Sequence, residues 1–326
     1  MLLKTLTLAI SGVSLAIGAS AATAQTFPER PITLSVPFAT GGPTDILARV
    51  VARGLERHLG QPIVVDNKPG AGGRLGVESL KRTKPDGYTV GVATASTQGV
   101  APNLYNKLTY DPLKDFRGVG QLVVAPGVMI ANKASVPNCD MKEFIEKLKK
   151  NPGKYTYGSS GIGGLAHVTG EQFLAVTGTQ MLHVPYKGLG PAMQGLYGGQ
   201  VDVVFDNVST SSQHIKQGGV CALAVQSDER LASLPDIPTY KELELDAMNT
   251  PTWYGLIVPA ATPDDVVATL NEAVNKALAD EDIVANFESM GVKPSPMSPK
   301  EFDEVQANEI NQWAEIFKIS KFEKLD

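Results

Sequence analysis

Cysteine, histidine and excess charge are all scarce in this sequence. Of 326 residues, two are cysteine (Cys139 and Cys221) and four are histidine. Two cysteines do not make a disulfide-stapled scaffold. They either bridge in an oxidising compartment or stand as two separate buried thiols, and geometry, which the sequence does not carry, decides between these. The histidines, His58, His167, His183 and His214, are scattered without metal-ligand spacing, and no HExxH or cysteine-rich zinc pattern accompanies them. No Walker loop is present. Formal net charge is −5, with acids and bases interspersed. The lack of a basic stripe or arginine-rich arm argues against nucleic acid as a partner. Beyond the first 25 residues no apolar run approaches the ~20 residues of a membrane-spanning helix.

The sequence does carry an amino-terminal leader. Lys4 precedes an apolar run from Leu6 to Ile17 and a small-residue end, Ala22-Thr23-Ala24. That order predicts a secretory signal peptide, residues 1–24, cleaved after Ala24. Ser11, Gly12 and Ser14 interrupt the run, which argues against a membrane anchor. The remainder, about 300 residues, is long enough for two domains.

Strand and helix patterns alternate along this remainder. Expected strands are Ile32–Val36, Ile63–Val65, Tyr88–Ala93, Gly120–Ile130, Tyr155–Tyr157, Met181–Val184, Val201–Phe205, Ala222–Val225 and Trp253–Val258. Expected helices are Thr44–Leu59, Leu75–Arg82, Met141–Lys150, Leu165–Thr177, Ala192–Tyr197, Ser211–Lys216, Asp264–Ala279 and Pro299–Phe317. This β-α alternation predicts an α/β fold of parallel sheets covered by helices. No low-complexity linker separates two halves, so the domains are expected to be joined by more than one chain crossing.

Three strand-to-helix junctions are rich in glycine. In the first, Val36 to Asp45, Gly41 and Gly42 permit close backbone approach, and Pro43 suits a first helical position. Free N–H groups at a helix N-terminus, carrying about half a positive charge, favour an anion without any lysine or arginine. The second junction, Tyr157 to Gly164, adds two hydroxyls, Ser159 and Ser160. Each of these is either half of an anion site or a tight βα turn. The third, Asn67 to Gly73, reads as structural. Gly161 to Ala166 also satisfies GxGxxG/A, but no acid follows about 20 residues on, where a ribose would need one. The Ser159-Ser160 pair is out of step with a GxSxG nucleophile turn.

PERPITLSVPFATGGPTDILARVVARGLERHLGQPIVVDNKPGAGG resembles the N-terminal signature of the tripartite tricarboxylate transporter substrate-binding proteins, the TctC or Bug family. The resemblance continues through KPDGYTVGVATAST, LTYDPLKDFRGV, NPGKYTYGSSGIGGLAHVTGEQF, HVPYKGLGPAMQGLYGGQVDVVFDN and TWYGLIVPAATP. It implies a type II-like periplasmic binding protein, two α/β domains joined by crossing strands with a ligand cleft between them. The expected domains are 25–125 with 249–326, and 126–248. It further implies that Phe38, Ala39, Thr40 and Gly41 in one domain and Ser159, Ser160, Gly163 and Gly164 in the other hold one carboxylate. Asp206 would lie near the far end of the ligand, or cap a helix. Ser96, Thr97 and Gln98 would line the cleft, or form a turn. His167, beside the second junction, approaches the ligand or pairs with backbone.

The sequence departs from the family at Gly164-Leu165-Ala166, where Ser or Thr commonly follows GSSGxG. Loss of that hydroxyl predicts a ligand with a more apolar body than citrate, an aromatic or medium-chain acid. A membrane permease is the partner implied, the protein itself being a monomer; no catalytic residue, metal or cofactor is expected. Two other classes stay open. One is an exported hydrolase using Ser160 or Asp206 with His167. The other is a receptor that signals to a sensor kinase without transport.

Overall fold

Alternating apolar strands and amphipathic helices build two α/β lobes. The computed structural model describes residues 27–320 and 324–326; the expected leader, 1–24, lies outside them. The first lobe begins with β1 (Ile32–Val36), α1 (Pro43–Leu59), β2 (Ile63–Asn67), α2 (Arg74–Lys81) and β3 (Thr89–Thr94). A π-helical turn, Ser96–Val100, and the short α3 (Ala101–Leu104) lead to β4 (Phe116–Ala125). The chain then crosses into the second lobe. There it forms β5 (Gly127–Ala131), α4 (Met141–Lys150), β6 (Thr156–Ser159) and α5 (Leu165–Thr177). It continues through β7 (Leu182–Pro185), α6 (Leu189–Tyr197), β8 (Val203–Asn207), α7 (Val208–Lys216) and β9 (Cys221–Val225). Residues 226–251 bring it back to β10 (Thr252–Pro259), α8 (Asp264–Ala277), α9 (Glu281–Ser289), β11 (Lys293–Pro294) and α10 (Pro299–Ser320).

The first sheet has the order β11-β4-β10-β3-β1-β2 and the second β7-β6-β8-β5-β9. Both are mixed, which corrects the expectation of parallel sheets. β1, β2 and β3 pair in parallel, but β10 is antiparallel to both β3 and β4. The reason is topological: β4 runs out towards the second lobe and β10 runs back from it. β5 and β9 are likewise antiparallel partners because one enters that lobe and the other leaves it. The single strand expected over Gly120–Ile130 is in fact two, divided at Pro126. Proline offers no N–H to a ladder and ends the first strand there.

Each lobe has its own core. Leu34, Val36, Leu47 and Val51 pack with Leu256, Leu270 and Val274 in the first. In the second, Phe144, Tyr157, Phe173 and Phe205 fill one face of the sheet, and Ile130, Leu196 and Val204 the other. Cys139 and Cys221 form a disulfide spanning 82 residues within the second lobe. No helix among the described residues is long and apolar enough to cross a membrane.

Candidate functional site: a cleft between the lobes

Four helices begin at one cavity. Its lining includes Pro43 and Thr44 at the start of α1, Leu165 and Ala166 at the start of α5, Leu189 at the start of α6, and Asn207 before α7. None of these helices is capped by its own N-cap residue: those positions are Gly42, Gly164, Gly188 and Asn207, without a side-chain hydrogen bond, and only the first N–H of α5 is taken by a side chain from elsewhere, the Ser96 hydroxyl. First-turn N–H groups have no carbonyl four residues back. Their partial positive charge therefore points into the cavity from both lobes. Phe38, Gly42, Thr94, Ser96, Ser160, Thr252 and Tyr254 complete the lining. No charged side chain is among them. The cavity offers dipoles and hydroxyls over an apolar wall, which suits an anion with an apolar body.

The first turn is shaped by a buried acid. Asp45, 4% exposed, accepts from Gly41 N–H at 3.0 Å, from Arg49 at 3.0 Å and from Asn67 at 3.1 Å. Asn67 also donates to Phe38 O at 2.9 Å, fastening the turn to the end of β2. Burial opposes ionisation of Asp45, but the hydrogen bonds from Arg49, Gly41 and Asn67 outweigh it and hold the carboxyl below its ordinary range. Arg49 is thus committed to Asp45 and leaves the cavity free of cations. Phe38 faces the cavity, whereas Thr40 is exposed and lines a groove on the outer side with Gly41. Ala39 donates its N–H across the cleft to Lys187 O at 3.3 Å.

In the second turn the two serines divide the work. Ser160, 7% exposed, lines the cavity. Ser159 is fully buried behind it. Its hydroxyl accepts from Gly161 N–H at 3.1 Å and meets His183 Nε2 at 2.6 Å. His167 Nδ1 accepts from Gly163 N–H at 3.3 Å, which is the backbone pairing. The rings of His167 and His183 stack at 4.2 Å, and Tyr157 stacks on His183 at 4.9 Å. Gly163 faces Tyr105 and Leu104 of the other lobe, while Gly164 caps α5 beside Ser160.

This buried ring stack has a consequence for pH. Burial, with His167 alongside, pulls His183 down to about 4; burial also lowers His167, with Glu171 acting in the opposite sense. The unfolded chain takes up such a proton near pH ~6.5. Protons therefore favour unfolding between pH 6.5 and 4, and the stability is fully present above that window. Discounted for the partial exposure of His183, the loss from pH 7 to 4.5 is about 1–2 kcal/mol. The melting temperature of the protein should drop over this range, and drop less in His183→Asn. An equal drop in both would contradict the assignment.

Ser96 and Thr97 sit in the π-turn rather than in an extended strand end. Ser96 reaches the cavity and bridges the lobes: its hydroxyl donates to Gly72 O at 3.1 Å and accepts from Leu165 N–H at 3.2 Å. Thr97 and Gln98 are fully buried, Thr97 closing back on Thr94. Asp206 is 3% exposed, and its Oδ2 accepts from the Thr210 and Ser211 hydroxyls of α7. Burial pushes its carboxyl above the ordinary range, against the hydrogen bonds of Ser211 and Thr210. It is Asn207, its neighbour, that faces the cavity, with Oδ1 buried and unpaired.

Sequence reasoning passed over Asn207, Leu189, Thr252 and Tyr254. It also missed a fourth glycine-rich junction, Gly188-Leu189-Gly190-Pro191, which faces the Gly41-Gly42-Pro43 turn across the cleft. The third junction, read as structural, lies at the seam: Gly72 packs against Gly163 and Gly164 of the opposite lobe.

Residues 47–321 match the model of the tripartite tricarboxylate transporter family receptor. Protein BugT of Bordetella pertussis is 34% identical over 313 residues, covering 95% of each chain. Among solved structures, the periplasmic binding protein BugD is 36% identical with a TM-score of 0.89, over 92% of this chain and 100% of that one. MatC from Rhodopseudomonas palustris, solved with bound malate, is 34% identical with a TM-score of 0.86, over 89% and 99%.

Proposed function

This chain belongs to the tripartite tricarboxylate transporter receptors, and we propose that it captures a small organic acid in the periplasm by closing its two lobes. The observation that carries the reading is the convergence of four helix N-termini without N-cap side chains, from both lobes, on a cavity lined by no charged side chain. The carboxylate would lie between the Phe38–Thr44 turn and the Ser160–Ala166 turn. It would take N–H groups from α1 and α5 and the hydroxyl of Ser160, the Ser96 hydroxyl being already held by Gly72 O and Leu165 N–H. Because each lobe holds part of the donor set, full pairing needs the closed form. The acid then shifts the equilibrium towards closure by its differential affinity for that form.

The remaining walls choose the ligand. Phe38, Leu165, Ala166, Leu189 and Tyr254 present apolar surface, and Asn207 presents an amide. A second or third carboxylate would meet no cation there, so an aromatic or medium-chain acid suits the cavity better than citrate. The closed form would deliver its acid to a tripartite tricarboxylate-type permease, and the protein would itself perform no chemistry. The lobes that close would be 25–125 with 249–326, and 126–248.

Thermal-shift measurements with citrate, malate, adipate and benzoate test the ligand class. An acid present at 100-fold its Kd stabilises the folded form by ~2.7 kcal/mol. Benzoate, with its single carboxylate and apolar ring, should raise the melting temperature more than citrate does. Stabilisation by citrate alone would contradict the reading.

A further inference from the structure

Two seams join the lobes beyond the cavity, and both bring glycine against backbone. In one, Gly72 meets Gly163 and Gly164. In the other, the Gly188–Pro191 junction of the second lobe meets Ala39 to Gly42 of the first. We propose that Gly190 is a positioning residue that sets how far the clamp closes, and so how tightly it retains its acid, without touching that acid. This inference rests on the carboxylate-binding reading above.

Gly190 is not part of the cavity wall; it lies on the outer groove with Thr40 and Gly41. A Cβ added there would stand 2.6 Å from Thr40 O, 2.9 Å from Gly41 C and 3.0 Å from Gly42 N. All three are backbone atoms of the opposite lobe and cannot rotate aside. Carbon contacts relax at ~3.5–4.0 Å, so a methyl group wedges the seam open by the better part of an ångström. The reverse face agrees: a Cβ on Gly42 would come within 3.2 Å of Gly190 N. Opening this seam strains the Ala39 N–H to Lys187 O hydrogen bond, already 3.3 Å long. It also draws Leu189, the preceding residue, away from the cavity it walls.

Gly190 separates closure from folding better than Gly72 does. Gly72 has φ +63°, where any side chain is strained whatever the space. Gly190 lies in the first turn of α6 with no positive φ. Within a helix alanine is favoured over glycine by up to ~1 kcal/mol, but Pro191 disfavours helical φ/ψ for a preceding residue with a Cβ and offsets that gain. The open lobe should therefore tolerate Gly190→Ala with little net change, and the larger steric cost should appear on closing.

The test compares the wild type with Gly190→Ala, using malate, adipate and benzoate as probes in titration calorimetry and small-angle scattering. Without acid, the variant should melt close to the wild type. With the acid the wild type binds best, the variant's Kd should rise tenfold or more. The wild type should contract on adding that acid and the variant should contract less. Binding within twofold of wild type, or equal contraction, would overturn the role of Gly190. So would a variant that melts markedly lower without acid, since the glycine would then serve folding. Failure of the wild type to bind any of the three acids would instead overturn the carboxylate reading, and this inference with it.

Discussion

Replacing Cys139 and Cys221 together by alanine should lower the stability of the second lobe by about 4 kcal/mol. Their disulfide closes a loop of 82 residues that takes in α4, β6, α5, β7, α6, β8 and α7. Chain entropy makes such a long loop costly to leave open, and the expected magnitude follows from its length. The bridge also fixes the segment before α4 to the start of β9, the strand from which the chain leaves that lobe. Loss of the link should depress the melting temperature by on the order of 10 °C. Reduction by dithiothreitol should have the same effect on the wild type and none on the double variant. Identical melting of all forms would show that the bridge contributes nothing to stability.

The second large effect concerns the carboxylate grip. Ser160→Ala should weaken acid binding by about 10- to 150-fold, whereas Thr40→Ala should leave it within a few-fold. A hydrogen bond to a charged group contributes ~1.5–3 kcal/mol, and the cavity lacks a cation to take its place. Ser160 is almost wholly buried in the cavity wall, while the Thr40 side chain is exposed on the outer groove. Both residues belong to the set that family resemblance marks for the carboxylate, so the pair separates resemblance from geometry. Calorimetry with the best-binding acid decides it. Equal losses at both positions would show that the hydroxyl geometry described here is not the one that binds.

Much of this architecture was legible before the structure. Ile32–Val36, Met141–Lys150 and Leu165–Thr177 appear with the bounds that periodicity and flanking residues suggest. In α4, Asp140 caps the Glu143 N–H at 2.7 Å, and α5 runs between Gly164 and a left-handed Gly178. Such local signals survive without tertiary context. Strand direction does not: nothing local in Thr252–Pro259 says that it returns antiparallel from another lobe. The π-turn at Ser96–Val100 has no periodic signature, and α9 is one short helix directly after another.

At the site, the glycine turns could be read but the orientation of their side chains could not. Thr40 and Ser160 look equivalent in sequence, yet the Asp45 network turns one outward and α5 turns the other inward. Asp206 and Asn207 are adjacent, and strand alternation sends only the second into the cavity. A glycine that serves a contact between lobes, as Gly72 does, looks the same in sequence as one that serves a turn.

The central claim is that one carboxylate is shared by both lobes at the starts of α1 and α5. A crystal structure of the protein grown with the acid that raises its melting temperature most tests this directly. The account predicts a carboxylate within hydrogen-bonding distance of the Ser160 hydroxyl and of first-turn N–H groups of both helices, with its body against Phe38, Leu165 and Tyr254. An acid bound to one lobe only, or seated in the outer groove beside Thr40, would contradict it.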